Sequence, residues 1–419
     1  MPMEPLISVV QLGARMHYAV PRIFAEAGRL ERFFTDICAV RGWPKLLGFI
    51  PGAARPPAVR RLIARVPQGV PPRLITAFNR FGREYASRRA RASTSTETTA
   101  AHLWAGREFG RRVIARGLGR ATTVYCFNSA GLEIMQRAKA EGRRTVLEQT
   151  IAPRRIELEL LAAEREACPD WESADQDNLA DEFIAREEAE WRAADVILCG
   201  SEFVREGIAR GHGPVEKCVV VPYGVDIPSP HRGEGGRRPD EVASINLQLS
   251  TLNRPLRVLT VGAVGLRKGS PYVLETTRRL KGRAQFRMVG TIAVTLQTQA
   301  RLREHLELLG RVPRNEVRRH FEWADVFLLP SVCEGSATVT YEALAHGLPV
   351  ICTPNTGSVV RDGLEGFVVP AGDSDAIADR LEALCANRAQ LVEMSHRATA
   401  RAEEFTLEKY GQRLLAVVG

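Results

Sequence analysis

The feature that most constrains this chain is an alternation that runs, stops and runs again. Short apolar runs without strict period-two patterning are separated by longer amphipathic stretches. In the first series, residues 7–12, 124–127, 145–147, 196–199 and 219–221 read as strands, and 20–34, 131–141 and 181–192 as helices. Residues 227–254 then turn rich in Pro, Gly, Arg and Ser and lose all periodicity, which reads as a linker or exposed insertion. Beyond it, strands are expected at 257–261, 286–289, 326–329, 348–352 and 367–369, with helices at 272–280, 297–309, 314–323, 339–346 and 374–386. Apolar runs joined by helices indicate parallel sheets covered on both faces. Two such series imply an α/β chain of two Rossmann-like, doubly wound domains, residues 1–226 and 255–400, with 401–419 a closing helix that packs back toward the first domain. Ligands of such sheets collect at the carboxyl ends of the strands, so the cleft between the domains is the default site.

Charge adds one local fact. The net charge is +9, and residues 55–91 alone, with ten Arg and one Glu, supply all of it. The protein is therefore charge-balanced with one basic segment, an insertion at about 44–92, rather than generally basic. No nucleic-acid module accompanies it, so no nucleic-acid partner is expected. Its arginines are interleaved with Val59, Leu62, Ile63, Val66, Leu74, Ile75, Phe78 and Phe81. An amphipathic basic segment of this kind suits an anionic membrane surface or a lid over a site, and equally a helix with a solvated Arg face.

No run approaches the roughly 18 apolar residues of a membrane span, and the first twelve residues lack the basic start of a signal peptide. The eight Cys form no CxxC pair and several sit in apolar runs, as reduced buried thiols do. The expected location is cytoplasmic, with peripheral contact at the inner face of a membrane. His and Cys show no metal-ligand spacing, so no metal and no cofactor is expected.

The most informative stretch is 324–353, ADVFLLPSVCEGSATVTYEALAHGLPVICT. A buried strand ends at Pro330-Ser331, Glu334 lies in the loop at its carboxyl end, and a helix starts near Ser336 or Ala337 and stops at Gly347. Thr338 and Glu342 are spaced i,i+4 and share a face, with Val339 beside them. The amides and dipole at such a helix start suit a phosphate. Glu334 and Glu342 bracket that position, where carboxylates accept from sugar or ribose hydroxyls. Two glutamates seven residues apart are a weak signal alone; strand, glycine loop, helix, Gly-Leu-Pro and second strand give it context.

This stretch resembles the retaining nucleotide-sugar glycosyltransferases of family 4, which have the GT-B fold. Pro330-Ser331, Glu334, Glu342-Ala343, Ala345, Gly347 and Pro349-Val350 carry the resemblance. Gly363-Leu364-Glu365-Gly366-Phe367, Pro370-Ala371-Gly372-Asp373, Ala194-Asp195-Val196-Ile197, Ser201-Glu202-Phe203 and Val221-Pro222-Tyr223-Gly224-Val225-Asp226 extend it over about residues 190–400. The resemblance implies a nucleoside diphosphate sugar as donor and co-substrate, a glycan, lipid-linked or small-molecule acceptor, and retention at the anomeric carbon.

The turn from Gly262 to Gly269, with Gly265, Arg267 and Lys268, suits a diphosphate clamp in which amides and cations hold the leaving group. Lys268-Gly269 matches the family, whereas Ala263 stands where the family usually has Arg, so Arg267 is the second cation by inference. Gly13 after the first strand corresponds to a loop that approaches the diphosphate or acceptor, and Arg15 follows it. Gln149 stands roughly where many members have His, with Glu148, Asn128 and Ser129 as further polar liners of the acceptor or sugar side. Ser358 stands near an acidic position of the family. Two DxD matches, Asp175-Gln176-Asp177 and Asp373-Ser374-Asp375, read as structural, which implies metal-independent catalysis. The implied roles give the leaving diphosphate to Lys268, Arg267 and the amides near Ala337 and Thr338, the donor sugar to Glu334 and the ribose to Glu342. The rivals are a non-catalytic nucleotide-sugar-binding protein and a nucleotide-sugar epimerase.

Overall fold

The computed structural model describes residues 5–51, 54–173, 175–227 and 254–418 of the 419. Almost all of the expected linker, 228–253, lies outside the described residues.

The first sheet has seven parallel strands in the order β3-β2-β1-β4-β5-β6-β7. They are β1 (Ile7–Gln11), β2 (Leu30–Thr35), β3 (Ile75–Ala77), β4 (Thr123–Phe127), β5 (Arg144–Gln149), β6 (Val196–Cys199) and β7 (Cys218–Val220). The order reverses between β1 and β4, the switch point where doubly wound sheets open a crevice. Helices cover both faces: α1 (Ala19–Glu26), α2 (Trp43–Leu46), α3 (Pro57–Ile63), α4 (Asn79–Arg91), α5 (Ser95–Arg116), α6 (Leu132–Ala140), α7 (Arg154–Ala167), α8 (Ala180–Ala193) and α9 (Glu202–Arg210).

The second sheet has six parallel strands in the order β10-β9-β8-β11-β12-β13. They are β8 (Leu256–Val261), β9 (Ala284–Val289), β10 (Glu307–Gly310), β11 (Val326–Leu329), β12 (Val350–Cys352) and β13 (Gly366–Val368). Each sheet carries a separate apolar cluster on each face. The last helix, Leu407–Val418, buries Tyr410, Leu414 and Val418 in the first domain's core, beside Ile23 of α1.

Three readings of the sequence are corrected. The stretch 20–34 is helix only to Glu26; Gly28, at φ +70°, turns the chain and Leu30–Thr35 continues as β2. The stretch 297–309 likewise divides into the helix Leu296–Arg303 and β10. The basic segment is not a simple insertion, because Ile75–Ala77 pairs with β2 as the sheet's edge strand.

The two domains interlock through α7 and the loop after it. Leu161 and Trp171 belong to the first half of the chain yet pack in the second domain's core. Tyr272 donates to the Glu164 carboxylate at 2.8 Å, and the Thr295 amide to the Trp171 carbonyl at 3.0 Å.

Candidate functional site

The carboxyl end of β11 brings the loop carrying Glu334 against the carboxyl end of β5. Gly335 forms an isolated antiparallel bridge with Ile151, and the Ala152 amide donates to the Glu334 carbonyl at 3.1 Å. Ser201 Oγ donates to the Gly335 carbonyl. Glycine is required here: a Cβ on Gly335 would overlap the Thr150 carbonyl oxygen and stand 2.8 Å from Ile151 Cα. The loop is thereby shared by both domains.

Glu334 is 9% exposed and sits between two cations. Lys268 Nζ and Arg267 Nη1 each approach Glu334 Oε1 at 2.7 Å. Lys268 is buried, and burial lowers its pKa while Glu334 pulls the other way. The turn after β8 places Lys268. Gly269, at φ +68°, packs against Pro330 so closely that a Cβ would overlap the Pro330 carbonyl oxygen. A Cβ on Gly262 would stand 3.1 Å from Lys268 Cε.

The glycines of this turn therefore make room rather than present amides, which corrects the expected clamp. The Gly262 amide donates to the Val289 carbonyl at 2.9 Å and that of Gly265 to Ser270 Oγ at 2.9 Å. The Leu266 amide is taken by Glu172 Oε1 at 2.7 Å, from the loop that follows α7. These three amides are thus already paired, while Arg267 and Lys268 supply the turn's cationic side chains.

A cavity of about 700 Å³ lies between the domains. Gly262, Lys268, Glu334, Ser336, Ala337, Thr338, Val339 and Glu342 line it, facing Ala14, His17 and Asp226 of the first domain. The Ala337 amide is committed to the Thr356 carbonyl at 3.1 Å. Thr338 and Val339 open the helix Thr338–Ala345, whose first two N–H groups have no intrahelical acceptor, while the Thr340 amide already donates to the Ala337 carbonyl at 2.9 Å. Ser336 Oγ bonds Tyr341 OH at 2.9 Å and the Gly357 carbonyl at 3.0 Å, so it braces the loop. Burial raises the pKa of Glu342, and Arg314 Nη2, 3.6 Å from its Oε1, opposes that rise. Arg314 opens the helix Arg314–Trp323 and lines the same cavity; nothing in the sequence marked it.

The first-domain residues divide. Gly13, at φ +79°, donates its amide to Asp36 Oδ1 at 3.2 Å and turns the chain into the cleft. Met16, His17 and Tyr18 follow at φ 44°, 50° and 63°, three consecutive left-handed residues of which Met16 and His17 line the cavity. Arg15 is exposed and donates to Thr150 Oγ1. Asn128 Oδ1 accepts from the same hydroxyl at 2.8 Å. Glu148 and Gln149 are both held in the protein interior, a correction to their place on the sugar side. Tyr125 and Tyr223 donate to the two Glu148 oxygens. Gln149 donates to Glu187 Oε1 at 2.7 Å and accepts from Trp191 Nε1 at 3.0 Å. Ser358 Oγ donates to Thr340 Oγ1 at 3.1 Å. Of the DxD residues, Asp177 pairs with Arg154 at 2.9 Å, and Asp373 caps the helix Ser374–Ala386.

The architecture has known counterparts. The chain superposes on Anabaena Alr3699/HepE in complex with UDP-glucose at TM-score 0.60, covering 99% of this chain and 98% of that one at 14% identity. Sucrose-phosphate synthase from Thermosynechococcus elongatus gives TM-score 0.62 over 98% and 97% at 14% identity. The fold is GT-B. Residues 255–387 match the family model described as Glycosyl transferases group 1. In sequence, the chain is 30% identical to the amylovoran biosynthesis glycosyltransferase AmsK of Erwinia amylovora over 195 residues, 42% of this chain and 48% of that protein. It is 34% identical to the putative colanic acid biosynthesis glycosyltransferase WcaL of Salmonella typhimurium over 208 residues, 46% and 48% of the two chains. The chain thus spans about half the length of these curated relatives.

Proposed function

We propose that this protein is a glycosyltransferase of the family 4 type. It moves a sugar from a nucleoside diphosphate sugar to an acceptor hydroxyl, with retention and without a metal. The observation that carries the reading is the Lys268–Glu334–Arg267 cluster at the mouth of a helix start, on a loop shared by both domains. The match of residues 255–387 to the glycosyl transferase model supports it, as do relatives named for glycosyl transfer.

The diphosphate enters between Lys268 and Arg267 and takes them from Glu334, whose carboxylate turns to the hydroxyls of the donor sugar. Glu342 accepts from the ribose. The bond from anomeric carbon to diphosphate oxygen breaks as the acceptor oxygen attacks the same face. The acceptor proton passes to the leaving oxygen, so no separate base is needed. Two fixed cations at the departing oxygens stabilise charge where it develops. A second reading, binding without transfer, is favoured by Gln149, which stands near a family His but is wholly committed inside the protein.

A thermal-shift screen with UDP, GDP, ADP and TDP tests the first reading. One of them at about 100 times its Kd should add about 2.7 kcal/mol and raise Tm, equally with EDTA present. Turnover of the matching sugar nucleotide then separates transfer from binding alone. No shift with any of the four at millimolar concentration refutes both.

A further inference from the structure

One cavity of the first domain is separate from the cleft. It measures about 870 Å³ and lies between α4, the start of α5 and Trp43. Arg80, Arg83, Arg88 and Arg91 line it from one face of α4, a face about 16 Å long at the helical rise. Their charge is only partly answered. Arg88 is paired with Glu84 at 2.9 Å and lies over the Trp104 ring, 4.1 Å from its centroid. Glu97, also in the wall, is committed to the Ser93 and Thr94 amides at the start of α5. Arg80, Arg83 and Arg91 have no carboxylate, hydrogen-bond or ring partner among the described residues. Three unpaired guanidiniums facing one cavity are a site for an oxyanion, since each offers a fork of donors that fits phosphate oxygens.

The α4 cavity has a neighbour. Ala92 lines both it and a second cavity of about 530 Å³. His102, Asn128, Ile151 and Ala152 are among the residues that line that second cavity. The last two are the ones that bridge Gly335 and bond the Glu334 carbonyl. Leu46 and Phe49, which follow the Trp43 of the α4 cavity's wall in sequence, stand 63% and 82% exposed.

We propose that the α4 cavity binds the phosphate or diphosphate group of the acceptor, whose sugar end runs through the second cavity to Glu334. The inference rests on the glycosyltransferase reading for the identity of its ligand as acceptor. The phosphate can belong to a lipid head, with its tail over Leu46 and Phe49, or to a soluble phosphorylated sugar.

The test uses inorganic pyrophosphate, by titration calorimetry in low salt, on Lys268→Met protein so that the cleft does not compete. Adding Arg80→Gln, Arg83→Gln and Arg91→Gln should weaken pyrophosphate binding at least about tenfold. The same three substitutions in otherwise unaltered protein should leave the nucleoside diphosphate Tm shift in place. All three sites are exposed, and circular dichroism should show an unchanged fold. Pyrophosphate affinity within twofold of the Lys268→Met parent overturns the proposal, as does loss of the nucleoside diphosphate shift. Co-sedimentation with phosphatidylglycerol vesicles resolves the source. Vesicle and pyrophosphate binding lost together support a lipid-borne phosphate, and pyrophosphate binding without vesicle binding supports a soluble acceptor. Vesicle binding without pyrophosphate binding overturns the acceptor site in favour of a membrane-contact face. If no nucleoside diphosphate binds the unaltered protein, the donor reading fails while the calorimetry still reports the anion site.

Discussion

Lys268→Met separates the chemistry of the cleft from its stability. Lys268 is 7% exposed, and its ammonium is 2.7 Å from Glu334 Oε1. Stripping one partner from a buried ion pair costs about 3–5 kcal/mol when the other charge is left alone. Here it is not left alone, because Arg267 Nη1 reaches the same oxygen at 2.7 Å. Methionine also fills the space of the lysine stem and removes a charge that burial disfavours. The expected loss of stability is therefore about 1–2 kcal/mol, small enough to keep the protein folded at 25 °C. Catalysis loses more. Removing a preorganised donor from a developing charge costs about 10²–10³ in kcat, or roughly 2.7–4 kcal/mol. Calorimetric Tm and steady-state transfer, with the sugar nucleotide picked out by the thermal-shift screen, measure the two separately. Arg267→Met should cost less in kcat, since that side chain is 33% exposed and water screens it. A Lys268→Met protein within about threefold of the original kcat would refute the reasoning.

Two further outcomes follow from other parts of the structure. Gly335→Ala drives a Cβ into the Thr150–Ile151 backbone, so the shared loop must shift. Transfer should fall by about 10²-fold with nucleoside diphosphate binding retained; an unchanged kcat would show the loop is not part of the reacting geometry. Burial pushes the Glu187 carboxyl up to about 7, against its bonds from Gln149 and the Arg154 amide. Between the ordinary carboxylate range and 7 the folded protein keeps a proton that the unfolded chain has lost. Stability should therefore fall as pH rises through that window, by up to about 1.4 kcal/mol per unit. Urea midpoints of Glu187→Gln should lack this component; identical pH slopes in the two proteins would contradict it.

Much of this was legible in the sequence, for identifiable reasons. The buried strands of parallel sheets are apolar throughout, so β6 and β11 stand out at Val196–Cys199 and Val326–Leu329. The i,i+4 spacing of Thr338 and Glu342 places both on the cavity side of one helix. What the sequence hid depended on neighbours remote in the chain. Glu148 and Gln149 are consecutive on β5 and point to opposite faces, yet both faces of this sheet are covered. Only Tyr125 on β4 and Tyr223 after β7 show where Glu148 goes. Trp171 reads as a loop residue because the core that receives it begins some eighty residues later, at β8. Arg314 looks like any basic residue at a helix start until Glu342 is set beside it.

The placement of Lys268 bears on how the site would work. Gly262 and Gly269 let the lysine fold back against the ends of β8 and β11, with little freedom to reach outward. An anionic donor must therefore come to the ammonium. Most of the desolvation of Lys268 is already in place in the unliganded fold, and Glu334 serves as its counter-ion. Binding of a diphosphate then exchanges one anion for another instead of burying a fresh charge. The same exchange releases Glu334, which its backbone bonds to Ala152 and the Gly335–Ile151 bridge keep in the cleft. Donor arrival and the freeing of the carboxylate are in this way one event. Glu334→Gln should accordingly weaken the pairing that holds Lys268 charged before the donor arrives, and so lower the pH above which nucleoside diphosphate binding is lost.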